Sequence, residues 1–317
     1  MHVADSMLGA IGRTPLLRIA SGSAATIVVK LEAANPTGSY KDRMALAMIR
    51  GAEADGRLAP GQPVIEYTGG STGSSLAFVC ALTGHPLHIV SSTAFATEKL
   101  ATMAAFGAHV EAVESPEGIT GDLIRRLQDR VAERAEALGA FRTDQFANTD
   151  MIAGYRTLGA ELLAQVGGPV DAWCSYVGTA GCFVGVSQVL AAANPDLLRV
   201  VAEPAESPVI GGGAPGTHRI EGGGVGFVPP QLPADGWDRV IAVSTPEAVA
   251  QARRSIRELG LFSGPSTGAN LVAAQQVATE LGPGHVVATV QVDSGLKYLV
   301  GATFETAGRI EVIGAEA

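Results

Sequence analysis

Val64-Ile65-Glu66-Tyr67-Thr68-Gly69-Gly70-Ser71-Thr72-Gly73-Ser74-Ser75-Leu76 passes from a short β-branched run, through glycines and hydroxyls, into apolar sequence that reads as a helix over 76–82. A strand handed by a tight turn to a helix is the repeating unit of an α/β protein. The unit recurs outward in both directions. Short runs at 26–31, 87–90, 109–113, 198–202, 239–243 and 285–290 read as strands, as does the apolar run 172–176. Between them lie helical periods such as Ile119 to Leu138, which stops at Gly139 as a helix C-terminus should. The alternation predicts an α/β fold with mostly parallel sheets covered on both faces. Ligands in such folds bind beyond the carboxyl ends of the strands, so the glycine-rich turns locate the site. The longest irregular stretch, 203–238, is rich in Gly and Pro and is expected to be a mobile loop over a pocket.

The chain has 317 residues, 47% of them hydrophobic, which suggests two domains with two buried cores. Its formal net charge of −9, without any Lys/Arg-rich run, argues against nucleic acid or an anionic membrane surface as partner. Cys80, Cys174 and Cys182 have neither C-x-x-C spacing nor paired histidines nearby, so no disulfide framework and no metal site are expected. The first residues lack a basic and apolar leader, and no apolar stretch is long enough to cross a bilayer. A cytoplasmic location is the expectation.

Chemistry gathers at one lysine and three turns. Lys41, in Asn35-Pro36-Thr37-Gly38-Ser39-Tyr40-Lys41-Asp42-Arg43, opens a predicted helix. There the positive end of the helix dipole favours the neutral amine, the form that attacks a carbonyl and can hold an aldehyde as a Schiff base. Thr68 to Ser75 brings amides and hydroxyls to a helix N-terminus suited to a carboxylate or phosphate. Val177-Gly178-Thr179-Ala180-Gly181-Cys182 is a second such turn, with glycines that allow close approach of a phosphate. Ser263-Gly264-Pro265-Ser266-Thr267-Gly268-Ala269-Asn270 offers hydroxyls ahead of a helix expected from about Ala269. Alone, each turn reads equally as a cap or a tight turn. None fits G-x-G-x-x-G or carries the lysine of a nucleotide-triphosphate loop, so nicotinamide and ATP lose support.

Together and in this order, these residues resemble the cysteine synthase (O-acetylserine sulfhydrylase) and cystathionine β-synthase family of fold-type II pyridoxal-phosphate enzymes. The resemblance also takes in Ile11-Gly12-Arg13-Thr14-Pro15-Leu16, Glu203 to Val209, Ile220 to Phe227 and Asp293 to Leu299. It implies two three-layer α/β domains, similar to the tryptophan synthase β-subunit. A smaller mobile domain would span 37–145, and a larger cofactor-binding domain 1–36 with 146–317. It further implies pyridoxal 5′-phosphate as cofactor, Lys41 as Schiff-base lysine, Gly178, Thr179, Ala180, Gly181 and Cys182 as phosphate cup, and Ser266 opposite the pyridine nitrogen. Thr68, Gly69, Gly70, Ser71 and Thr72, helped by Gln145, would grip the substrate carboxylate, with Ser71 also beside the cofactor. Gly222 and Gly223 would border the amino-acid side of the pocket. A homodimer with a small amino-acid substrate and a small nucleophile completes the expectation.

Four departures stand out. Ser71 replaces the family's usual asparagine and Gly69 a common serine. Cys182 ends the cup where threonine is usual, a poorer donor. Tyr40 precedes the lysine where a small or β-branched residue is frequent. They leave the cofactor in place and open the question of substrate. A hydroxyl at the pyridine nitrogen makes a weaker electron sink than a carboxylate would, which favours β-elimination. The resemblance therefore implies β-replacement on an activated serine such as O-acetylserine, via an aminoacrylate, with Lys41 as base and sulfide or an amine as nucleophile. The alternatives are a hydroxyamino-acid dehydratase or β-eliminating lyase of the same fold and, from another class, a non-catalytic protein that binds an amino acid or a partner. Haem-linked cystathionine synthesis is not expected, since no Cys-His segment precedes Ile11 and no regulatory domain follows Tyr298.

Overall fold

The structure is a computed structural model that describes residues 3–19, 23–95, 97–117, 122–299 and 303–304. Along the chain come β1 (Leu16–Ile19), β2 (Thr26–Leu31), α1 (Lys41–Ala54), β3 (Val64–Tyr67), α2 (Ser71–Thr83) and β4 (Leu87–Ser92). Next are α3 (Thr97–Ala105), β5 (His109–Val113), α4 (Leu123–Leu138), β6 (Phe141–Arg142), α5 (Asp150–Val166) and β7 (Ala172–Tyr176). The series ends with α6 (Gly181–Ala193), β8 (Leu198–Pro204), β9 (Arg239–Val243), α7 (Thr245–Leu259), α8 (Pro265–Leu281) and β10 (Val286–Gln291). The α/β class expected from the alternation holds.

A six-stranded sheet has the order β1-β2-β10-β7-β8-β9, and a four-stranded sheet the order β5-β4-β3-β6. Every pairing is parallel except β1 with β2. Parallel strands buried on both faces should send alternate side chains to different cores. They do. In β2, Ile27 and Val29 join one core while Val28 joins another; in β7, Ala172 and Cys174 face away from Trp173 in the same manner. In the smaller sheet Val64, Leu87 and Ile89 pack toward α1 and α2, whereas Ile65, Tyr67 and Val90 pack toward Leu123, Leu127 and Val131 of α4. Helix α4 begins at Leu123, and the expected start at Ile119 lies outside the described residues.

Two boundaries correct the expectation. Helix α2 starts at Ser71, five residues before Leu76, and α8 starts at Pro265 rather than near Ala269. Gly, Ser and Thr are poor helix formers, so propensity places these starts too late; burial of Thr72–Ser75 in α2 and of Pro265–Gly268 in α8 overrides it. Proline at the first position of α8 costs no hydrogen bond there. No helix or strand forms over 205–238. Among the described residues no helix is long and apolar enough to cross a membrane.

Candidate active site

Strands β2, β7 and β10 run parallel in one sheet and share one carboxyl edge, and Ser71, just beyond β3 of the other sheet, bonds to Asp293, just beyond β10. Lys41 is the first residue of α1 and only 7% exposed. Burial pulls its ammonium down to about 8, against the opposing influence of Cys182 and Asp293. The preceding residues hold it in place: the Tyr40 amide donates to Val292 O at 3.0 Å, and Asp42, itself fully buried, accepts from the Thr37 amide at 2.8 Å. The first-turn charge Asp42 is thus a clamp on the loop rather than a solvated residue.

The chain has four lysines, and three are committed elsewhere. Lys30 pairs with Glu161 at 2.8 Å and donates to Thr14 O and Gln165 Oε1. Lys99 pairs with Glu221, and Lys297 lies in the fields of Asp293 and Asp42. Lys41 alone stands beside a glycine-rich cup.

That cup follows β7. Gly178, Thr179, Ala180 and Cys182 line a small cavity together with Tyr40, Tyr155 and Tyr176. A Cβ on Gly178 would fall 2.5 Å from the backbone oxygen of Gly222, where only hydrogen fits, and one on Gly181 would fall 2.7 Å from Met151 Sδ, so that the methionine would have to move. Ala180 has φ +70°, directly before α6. A left-handed residue ahead of a helix is the conformation in which successive amides form an anion-binding concavity. The Gly224 amide donates to Val177 O at 3.1 Å, which seats the loop of Gly222 and Gly223 on the cup. Across that loop lies Ser266: a Cβ at Gly222 would be 3.9 Å from its Oγ, a buried hydroxyl with no partner among the described residues.

The turn after β3 forms the opposite wall. The Gly70 amide donates to Thr68 Oγ1 at 3.1 Å, and Thr72 Oγ1 donates to Gln145 Oε1 at 2.8 Å. A Cβ on Gly70 would meet nothing within 4 Å, leaving open space above the turn. Gly69 is explained by Phe95, whose ring lies where a Cβ at 69 would go. Ser71 Oγ donates to Asp293 Oδ2 at 3.3 Å, so the hydroxyl in the asparagine's place has a partner.

Thus Thr68, Gly69, Gly70, Ser71, Thr72 and Gln145 form one group, Gly178 to Cys182 with Gly222, Gly223 and Ser266 a second, and Lys41 stands by the second while Asp293 reaches the first. Reading the sequence missed Asp293 and Glu66 as contributors. Asp293 accepts from Tyr298 Oη at 2.8 Å, and its Oδ1 is buried without a partner among the described residues. Glu66, 2% exposed, accepts from Thr143 Oγ1 at 2.6 Å, from the Gln145 amide at 3.0 Å and from the Tyr67 amide at 3.0 Å. Burial pushes its carboxyl up to about 7. A charged residue inside a strand run is the one local signal for Glu66.

A buried amine of lowered pKa, a glycine-bearing cup at a helix start and an orphaned hydroxyl fit an aldehyde cofactor that carries a phosphate. The chain belongs to the pyridoxal-phosphate dependent enzymes, the family whose model matches residues 7–292. It is 38% identical over 300 residues to a cysteine synthase of Staphylococcus aureus strain Mu50, covering 93% of this chain and 95% of that one. Among solved structures it is similar to O-ureido-L-serine synthase, with TM-score 0.90 and 31% identity over 98% of each chain. It is also similar to O-acetylserine sulfhydrylase isoform 3 of Entamoeba histolytica, with TM-score 0.89 and 31% identity over 96% of this chain and 92% of that one.

Proposed function

We propose that this enzyme performs β-replacement on an activated serine of the O-acetylserine type, with sulfide or a related small nucleophile. The observation that carries the reading is Lys41, buried at the start of α1 beside the Gly178–Cys182 cup and held near pKa 8. Pyridoxal phosphate, when bound, withdraws electrons from the amino acid's Cα and so acidifies the α-proton and labilises the β-substituent. Lys41 would bond to its aldehyde carbon, the cup amides would hold its phosphate, and Ser266 Oγ would meet its ring nitrogen. Amides and hydroxyls of Thr68 to Thr72, steadied by Gln145, bind and orient the substrate carboxylate. Lys41 Nζ, neutral once released, takes the α-proton, a role that needs a pKa near the working pH.

The relatives named cysteine synthase and O-acetylserine sulfhydrylase support the acetylserine and sulfide pair; O-ureido-L-serine synthase supports an oxygen nucleophile as the variant. With this reading go a homodimer in the cytoplasm and a smaller domain over 37–145 that moves against 1–36 with 146–317. Purified holoenzyme is mixed with O-acetylserine, O-phosphoserine, serine or threonine, with and without sulfide. A new amino acid formed only when nucleophile is present supports the proposal. Keto acid and ammonia formed at equal rate without nucleophile would favour the dehydratase instead, and no turnover with any of them would favour a binding protein.

A further inference from the structure

The cup contains an unassigned hydroxyl. Three tyrosines line it, Tyr40, Tyr155 and Tyr176, and two of their hydroxyls have protein partners. Tyr155 Oη donates to Met44 Sδ at 3.8 Å, and Tyr176 Oη donates to Ile220 O at 2.9 Å. Tyr40 makes no side-chain hydrogen bond among the described residues, and its hydroxyl is not one of the fully enclosed orphaned ones, although the residue as a whole is only 4% exposed and lines the cavity. Its ring is fixed on both sides, 5.4 Å from the Tyr155 ring and 4.9 Å from Lys41 Nζ. The residue before the reactive lysine therefore presents its side chain to the cup and not to solvent.

The cup is short of strong donors. Cys182 supplies a thiol, a weak donor, and burial pushes its pKa far above the ordinary thiol range, so it stays S–H. Thr179 Oγ1 has only the Met151 sulfur, at 3.6 Å. We propose that Tyr40 is a cofactor-binding residue whose hydroxyl donates to the phosphate in the Gly178–Cys182 cup, taking the part that the Cys182 thiol fills poorly. Burial also holds the Tyr40 phenol well above its usual range, so the donor is present at every pH at which the enzyme works. The two departures at positions 40 and 182 are then one compensated change: an O–H removed from the end of the cup and an O–H returned from another residue that lines the same cavity.

The inference rests on the reading of Gly178 to Cys182 as the phosphate cup. The test uses apo-protein titrated with pyridoxal phosphate and, separately, with pyridoxal, which lacks the phosphate. Tyr40→Phe is expected to weaken pyridoxal phosphate by about tenfold or more, the range for a hydrogen bond to a charged group, and to leave pyridoxal unchanged. Adding Cys182→Thr to Tyr40→Phe should recover most of that loss. Equal weakening of both ligands, or no recovery on adding Cys182→Thr, would overturn the proposal. Thr179→Ala separates a failure at Tyr40 from a failure of the whole cup. If it weakens pyridoxal phosphate while Tyr40→Phe does not, Tyr40 alone is misassigned. If neither variant weakens it, the cup reading fails as well.

Discussion

A single residue, Lys41, carries the chemistry, and its surroundings make its amine easier to deprotonate. Lys41 is lowered from 10.5 to about 8, and the largest cause is burial, not the helix end that its sequence position suggests. A lysine whose folded pKa is depressed binds fewer protons folded than unfolded between pH 8 and 10.5. Its contribution to stability therefore improves as pH rises through that window, and its destabilisation is complete below about 8. Denaturant unfolding of apo-protein should show Lys41→Met more stable than the parent at pH 7, with the gap narrowing toward pH 10.5. A gap independent of pH would mean that the amine is charged and paired in the fold.

At the scale of an element, the wall that faces the substrate hangs on Glu66. Its carboxylate joins the end of β3 to Thr143 and Gln145, just beyond β6, and Gln145 in turn holds Thr72 in α2. Glu66→Ala leaves three buried donors unpaired at about 1–3 kcal/mol each, so roughly 3 kcal/mol or more of stability should be lost. The KM for the amino acid should rise with it. Urea titration and steady-state kinetics check both, and a loss below about 0.5 kcal/mol would show that water replaces the carboxylate.

Much at this scale is legible in sequence. The runs at 26–31, 64–67, 109–113, 172–176 and 239–243 are the observed strands, because β-branched or apolar runs bounded by turn residues have no competing structure. Strands β1 and β6 escape such a reading, being four and two residues long and dependent on their neighbours for pairing. The helix starts at Ser71 and Pro265 escape it because the first turns are made of residues chosen for amides and hydroxyls, not propensity. Lys41, the cup and the two substrate turns are local patterns and could be read. Asp293 and Glu66 act across 222 and 79 positions, on Ser71 and Gln145, and no local pattern carries that.

At the scale of the molecule, the site is walled by residues from both sheets, and a few polar contacts cross between them. Lys99 of α3 pairs with Glu221 next to the glycine loop and lies 4.8 Å from the Tyr298 ring, while Ser71 Oγ donates to Asp293 Oδ2 at 3.3 Å. Glu221 is more than half exposed, so the pair contributes at most about 1 kcal/mol to stability. Lys99→Met should then leave the unfolding midpoint nearly unchanged and raise KM for the amino acid severalfold, since the glycine loop loses its tie to α3. An unchanged KM would show that the pair plays no part in closing the site over its substrate. The central claim, that Lys41 carries the cofactor, meets its most direct test in borohydride reduction of the holoenzyme followed by peptide mapping. The reduced cofactor is expected on the peptide containing Lys41, with no label in Lys41→Ala; label on Lys30, Lys99 or Lys297 would overturn the assignment.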